Sequence, residues 1–153
     1  MSRVLDRRRQ GTFVYEGFGF PVVLVNAPMV RVRNAWTPDV NLNKLSDQLL
    51  EALARKPARL TGNEVRFIRH SLSMTLEQLA QRLGVTHPAV IKWERAGNRP
   101  TVMAWAIEKD LRLEILRTRL RFGPREFLQA YTRLEEEAIG RPERVRLEVS
   151  QTA

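Results

Sequence analysis

Hydrogen-bonding side chains cluster in a short segment, residues 86–99, where a helix is predicted to begin. In helical geometry His87 and Lys92 lie on the side opposite Val90 and Trp93. A lysine can donate to guanine O6 and N7, and a histidine can donate or accept according to its tautomer. The spacing therefore predicts a helix that hides an apolar face and offers two polar side chains to base edges.

The residues around this pair would complete a contact surface for nucleic acid. Arg95 and Arg99 follow where the helix would leave a groove, and Thr86 caps its entry, so these three suit phosphates. Pro88 cannot donate from its backbone, and Ala89 offers only a methyl group, which suits thymine. The predicted DNA-binding residues are Thr86, His87, Pro88, Ala89, Ile91, Lys92, Arg95 and Arg99.

Local signals predict two short helices and a tight turn over residues 75–95. Thr75 and Gln78 form a capping box that begins the first helix. Gly84 suits the left-handed residue that ends it, Thr86 is a second N-cap, and Pro88 falls in the first turn of the next helix. This order is typical of a helix-turn-helix, whose second helix enters the DNA major groove. A helical hairpin inside an all-α core is the alternative.

Composition favours a polyanionic partner. The 153 residues carry a formal charge of +9, and the excess is arginine, which binds phosphate and guanine in a bidentate manner. A merely solvated basic surface is the alternative reading of this charge. The chain has no cysteine and only two histidines, far apart, so we predict no metal site. We also predict no catalytic residues, no enzymatic activity and no cofactor.

The N-terminal third differs from the rest of the chain in its residue composition. Residues 1–11 are rich in arginine and predict a basic flexible arm. From residue 12 to about 40, short runs rich in valine and aromatic residues predict two or three antiparallel strands. A stripe of Leu42, Leu45, Leu49 and Leu53 predicts a helix that covers this sheet and stops before Pro57. Residues 12–58 are therefore predicted to form a sheet-plus-helix domain with possible partner binding.

Helical patterns continue on both sides of the helix-turn-helix of residues 75–95, which we call the central motif. Thr61 and Glu64 form a second capping box, which begins the first helix of the DNA-binding unit. Residues 101–120 predict a long helix whose excess apolar surface is either a dimer interface or packs within the chain. A further helix begins after Gly123. Alternation of Val145, Leu147 and Val149 predicts an edge strand that joins the N-terminal sheet or a partner chain.

The stretch LEQLAQRLGVTHPAVIKWE resembles the helix-turn-helix of lambda-repressor-like (Xre) regulators, over about residues 61–116. The resemblance implies a five-helix domain that binds double-stranded operator DNA as a homodimer, and hence a sequence-specific transcriptional regulator, a repressor. In that family an arginine of the first helix pairs with the glutamate that ends the recognition helix. Arg69 and Glu94 hold these places, so the resemblance implies a structural ion pair between them.

The wider order of YEGFGFPVVL, LTGNEVRFIR and the helix-turn-helix resembles MqsA-type antitoxins. In that family a small zinc-bearing N-terminal domain binds the toxin and the Xre domain binds the promoter. This chain has VRVRNAWTP at residues 30–38, where a cysteine pair would be expected, so the zinc-binding cysteines are lost. The alternative function is therefore an antitoxin that binds a toxin through its N-terminal domain and autoregulates its operon.

Together these patterns predict an α+β fold. A small N-terminal antiparallel sheet with a covering helix precedes a five-helix lambda-repressor-like domain at 59–118, and a helix-and-strand extension follows at 119–153. No segment resembles a signal peptide or approaches a membrane span. We therefore expect a cytoplasmic, nucleoid-associated bacterial protein with no membrane contact.

Overall fold

The computed structural model describes residues 8–137 and 144–149. Their fold is α+β, with N-terminal antiparallel strands, then helices, then a C-terminal strand, which confirms the predicted class. The strands are β1 Arg8–Tyr15, β2 Val22–Val32, β3 Ala35–Pro38 and β4 Val145–Glu148. The helices are α1 Leu42–Ala54, α2 Gly62–Ser71, α3 Leu76–Leu83, α4 His87–Glu94, α5 Trp105–Glu114, extended by a π-helical turn Ile115–Arg119, and α6 Pro124–Glu137.

The chain forms two compact units. Of the described residues, the first unit contains 8–49 and 144–149, and the second contains 50–137. Their limits differ from the predicted domains 12–58, 59–118 and 119–153. One reason is that β4 pairs with β2 and so belongs with the N-terminal sheet. The other is that the boundary between the two units falls within α1, between residues 49 and 50, rather than after residue 58 as predicted.

Strand β2 is the centre of the four-stranded sheet. It pairs antiparallel with β1 along one edge, while β3 and β4 share the other edge at opposite ends. The sequence predicts an interruption at Asn26, Ala27 and Pro28, but β2 continues through these residues. Asn26 takes a φ of 53°, and two β2 residues oppose one residue of β1 at this point. A bulge therefore absorbs the irregularity that the sequence presents as a break.

The N-terminal strand is longer than predicted. Strand β1 begins at Arg8, because backbone pairing with β2 extends as far as Arg8 opposite Val30. The predicted flexible arm therefore needs correction at residues 8–11, and residues 1–7 lie outside the described part of the chain.

The core of the first unit combines the sheet with the first half of α1. Leu45 and Leu49 are fully buried, but Leu42 is exposed, so the predicted leucine stripe is wrong at its first position. The Gln48 amide donates to the Glu148 backbone carbonyl at 2.9 Å, which fixes α1 beside β4. The predicted alternation of β4 is confirmed, since Val145, Leu147 and Val149 are buried.

Two predicted helices after the central motif need correction. The long helix expected from residue 101 begins only at Trp105, because the Thr101 amide donates to the Leu60 carbonyl at 3.0 Å and keeps this segment extended. In α6 the sequence pattern predicts an apolar side of Phe127, Leu128, Tyr131 and Leu134, and this prediction is wrong for two of the four. Ala130 and Leu134 are buried, whereas Leu128 and Tyr131 are exposed.

Candidate nucleic-acid interface

Helix α3 and the turn after it form as the sequence predicts. The Thr75 hydroxyl accepts from the Gln78 amide, and the Gln78 side chain accepts from the Thr75 amide, at 3.1 and 2.9 Å. Gly84 ends the helix in the left-handed conformation, with φ 69° and ψ 32°. Because glycine adopts this conformation without strain, the chain can turn sharply into the next helix.

Helix α4 has one buried and one exposed side. The Thr86 hydroxyl accepts from the Ala89 amide at 3.3 Å, and Pro88 lies in the first turn. Val90 and Trp93 are buried, as predicted, and hold α4 against the second unit's core. The first turn of α4 is therefore capped, and this is the end of a recognition helix that would contact base edges.

The predicted DNA-binding residues lie on the outer side of this motif. The exposed members are Thr86, His87, Pro88, Lys92, Arg95 and Arg99, while Ala89 and Ile91 are half-buried. The one acidic residue of α4, Glu94, is buried and accepts hydrogen bonds from arginines. The exposed side of α4 therefore carries no negative charge that would repel a phosphate backbone.

Glu94 joins the end of α4 to α2. Arg69 Nε lies 2.7 Å from Glu94 Oε2, and Arg69 Nη2 lies 3.0 Å from Glu94 Oε1. Arg69 also donates to the Met74 carbonyl in the connection to α3, at 3.0 Å. Arg66, which the sequence patterns did not indicate, donates to the same carboxylate at 3.2 Å. One carboxylate thus fixes α4 relative to the two helices before it.

Gly62 is a positioning residue that the sequence patterns did not indicate. A Cβ atom at this position would lie 2.4 Å from the Trp93 carbonyl oxygen and 2.9 Å from that of Glu94. The Gly62 amide donates to the Arg99 carbonyl at 3.3 Å, and the Asn63 amide to the Gly97 carbonyl at 2.9 Å. The start of α2 therefore packs directly on the α4 backbone and holds the loop that carries Arg99. A glycine in the first turn of a predicted helix was the available signal.

Gly62→Ala is expected to lower both stability and DNA affinity. The added methyl group would meet backbone atoms of α4, so α2 or α4 must shift, at a cost of about 1–3 kcal/mol in the free energy of unfolding. Chemical denaturation and binding to duplex DNA would measure the two effects. Gly123→Ala is the control, because its Cβ would lie 3.6 Å from the nearest atom, the end of a flexible side chain. Equal behaviour of the two variants would contradict close packing at Gly62.

A buried polar network fixes α5 to the segment that precedes α2. Arg112 Nη1 and Nη2 donate to the carbonyls of Lys56 and Ala58 at 2.5 and 2.6 Å, and Nη2 lies 2.7 Å from Glu108 Oε2. Burial lowers the pKa of the Arg112 guanidinium, whereas the Glu108 charge raises it. The pairing compensates a charge that would otherwise be costly to bury. Arg59 donates to the other oxygen of Glu108 at 2.9 Å.

Other site chemistries find no support within the described ranges. No group of three or more His, Cys, Asp or Glu residues there could hold a metal ion. None of the helices within 8–137 is both long and apolar enough to cross a membrane.

Comparison with known proteins supports the assignment of the central motif. Residues 65–114, about a third of the chain, match the family model described as "Helix-turn-helix". No curated protein and no solved structure gives a significant match. The wider resemblance to MqsA-type antitoxins stays a prediction. Helices α3 and α4 thus lie within a segment that matches a DNA-binding helix-turn-helix of the Xre, lambda-repressor-like type.

Proposed function

We propose that this protein is a sequence-specific transcriptional regulator that inserts α4 into the DNA major groove. The observation that carries the proposal is the division of α4. Val90 and Trp93 are buried, His87 and Lys92 are exposed, and the acid Glu94 is buried in an ion pair. An exposed side with donors and no carboxylate suits the edges of base pairs and the phosphates beside them.

The proposal assigns different tasks to different side chains. Lys92 and His87 read bases, and Ala89 contacts a thymine methyl group. Thr86, Arg95 and Arg99 bind phosphates at the two ends of α4, and Pro88 and Ile91 line the surface between them. Arg99 is supported in this role by the hydrogen bond between its carbonyl and Gly62, which holds its loop beside α2.

The proposal extends to a homodimer that represses transcription. A helix-turn-helix dimer reads two half-sites about one helical turn apart. It therefore reads twice as many bases as a single α4 does. Occupying an operator would block transcription from an overlapping promoter. Such a regulator would act in the cytoplasm, where bacterial DNA is found.

An antitoxin is the second candidate function. The observation that favours it is the compact first unit, which is distinct from the unit that contains α4 and could bind another protein. In this account DNA binding autoregulates the operon, as the resemblance to MqsA-type antitoxins implies. A small toxin-like reading frame beside the gene, and co-purification of its product, would favour this candidate over a free-standing repressor.

Lys92→Ala and Arg99→Ala are expected to affect DNA binding in different ways. On a duplex selected from a random library, Lys92→Ala should weaken the free energy of binding by about 1–3 kcal/mol and relax the preference at one base position. Arg99→Ala should weaken binding to all sequences about equally and lower the slope of log affinity against log salt by about one unit. Fluorescence anisotropy at several salt concentrations would measure both quantities.

Arg125→Ala is the matched control, because it removes one exposed positive charge from α6 rather than from α4. It should leave base preference unchanged. Equal losses by Lys92→Ala on selected and random duplexes would mean that α4 does not read bases, and the protein would then be a non-specific DNA binder or a protein-binding module.

A further inference from the structure

Three arginines and one tryptophan of the first unit lie on or beside the β2–β3 hairpin. We refer to Arg9, Arg31, Arg33 and Trp36 as the arginine cluster. Arg9 pairs with Met29 and Trp36 pairs with Arg31, so these side chains lie on the same face of the sheet. The Arg9 guanidinium carbon lies 4.2 Å from the centroid of the Trp36 ring. Since β2 separates β1 from β3, the Arg9 side chain crosses the middle strand to reach the indole.

The third arginine lies in the turn of the β2–β3 hairpin, which also carries Trp36. Arg33 and Asn34 form the two-residue turn, with φ values of 49° and 65°. Asparagine or glycine occupies such left-handed positions at lower cost than arginine does. Arg33 is thus held in a strained conformation that the turn requires, at the exposed end of the hairpin. Arg31 also faces the turn, with Nη2 lying 3.5 Å from Asn34 Oδ1.

Among the described residues, no carboxylate forms an ion pair with the arginine cluster. Within residues 8–137 and 144–149, the ion pairs involve other arginines and lysines and none of these three. Arg9 and Arg33 are exposed and Arg31 is half-buried. Three guanidinium groups without an ion pair in the described part of the chain create a positive potential that attracts anions.

We propose that the arginine cluster binds the phosphate backbone of duplex DNA, as a contact surface additional to α4. A guanidinium presents paired donors that match a phosphate group. Three of them within one hairpin region could contact successive phosphates along a strand. Such contacts position a protein on DNA without reading sequence.

The surface suits duplex DNA better than the two alternative partners. Met29, the apolar residue beneath the cluster, is only 3% exposed, so the surface lacks the apolar centre typical of a protein interface. Single-stranded nucleic acid is bound largely by stacking bases on open aromatic rings. Here Arg9 already covers a face of Trp36, which leaves charge rather than a stacking platform.

This proposal is independent of base reading by α4. The cluster would add affinity for every duplex, even if Lys92 proved to make no base contact. The test is therefore the salt dependence of binding to a random-sequence duplex, which the cluster should change and Lys92→Ala should not.

The experiment compares two full-length variants that each lose three charges. The cluster variant carries Arg9→Gln, Arg31→Gln and Arg33→Gln. The control carries Arg125→Gln, Arg144→Gln and Arg146→Gln, which are exposed positions outside the cluster. Because each phosphate contact contributes about 0.9 to the salt slope, the cluster variant should lose about two to three units and the control less than one.

A single substitution guards against misfolding of the triple variant. Arg33→Asn introduces a residue that favours the left-handed turn, so the hairpin should be retained while one contact is lost. Its salt slope should fall by about one unit, and its melting temperature should stay the same or rise, because asparagine relieves the strain at this position. Equal slopes for the cluster and control variants would overturn the proposal. A loss confined to single-stranded DNA, or to an acidic protein partner with duplex binding intact, would overturn it as well.

Discussion

Arg112→Met is expected to lower the free energy of unfolding by about 3–5 kcal/mol, because it removes one partner from a buried ion pair. Glu108 is fully buried and would lose two hydrogen bonds from Arg112, although Arg59 would still contact its other oxygen. The carbonyls of Lys56 and Ala58 would lose the donors that hold them. Methionine fills similar space and can satisfy none of these groups.

Denaturant unfolding, monitored by the far-ultraviolet circular dichroism of the helices, would measure this loss of stability. Arg117→Met is the matched control, since Arg117 also pairs with a glutamate near the end of α5, but its side chain is 60% exposed against 1% for Arg112. Water screens the exposed pair, so the control should lose less than about 1 kcal/mol. Similar losses in the two variants would contradict the proposed importance of burial.

Glu94→Ala is the second substitution with a large expected effect, again about 3–5 kcal/mol in the free energy of unfolding. It leaves the Arg69 charge without this carboxylate, although the Arg69 side chain is only 11% exposed, and it releases the end of α4 from α2. Affinity for DNA should fall as well, because α4 would no longer be fixed relative to α2 and α3. Equilibrium unfolding and duplex binding would measure these effects.

A pair of double-mutant cycles isolates the interaction itself. Arg69→Met combined with Glu94→Ala should give a coupling of about 1–3 kcal/mol, because both groups are buried and hydrogen-bonded. Arg66→Met combined with Glu94→Ala should give less than about 1 kcal/mol, since Arg66 is 51% exposed. Absence of coupling in the first cycle would remove the link between α2 and α4 from this account.

The parts of the site that the sequence predicted are those with local causes. A capping box joins Thr75 and Gln78, which are three residues apart, and Gly84 needs only its own backbone conformation. Thr86, Val90 and Trp93 follow from the same helical spacing. Short-range chemistry of this kind can be read without knowing what the helix packs against.

The features that the sequence did not predict depend on distant partners. Arg112 donates to carbonyls 54 and 56 residues away, and in sequence it resembles any arginine on a charged helix. Gly62 contacts the end of α4, about thirty residues later. The late start of α5 depends on a hydrogen bond between Thr101 and Leu60. Such tertiary contacts override the local pattern, so they become visible only in the folded chain.

The most direct test of the central claim is the ratio of two dissociation constants for the unmodified protein. Duplexes enriched from a random library would be compared with random duplexes of equal length at one physiological salt concentration. If α4 reads bases, enrichment should converge on one sequence that binds at least about a thousandfold more tightly than random DNA. A failure to converge, with a ratio near one, would contradict sequence-specific recognition by this helix-turn-helix.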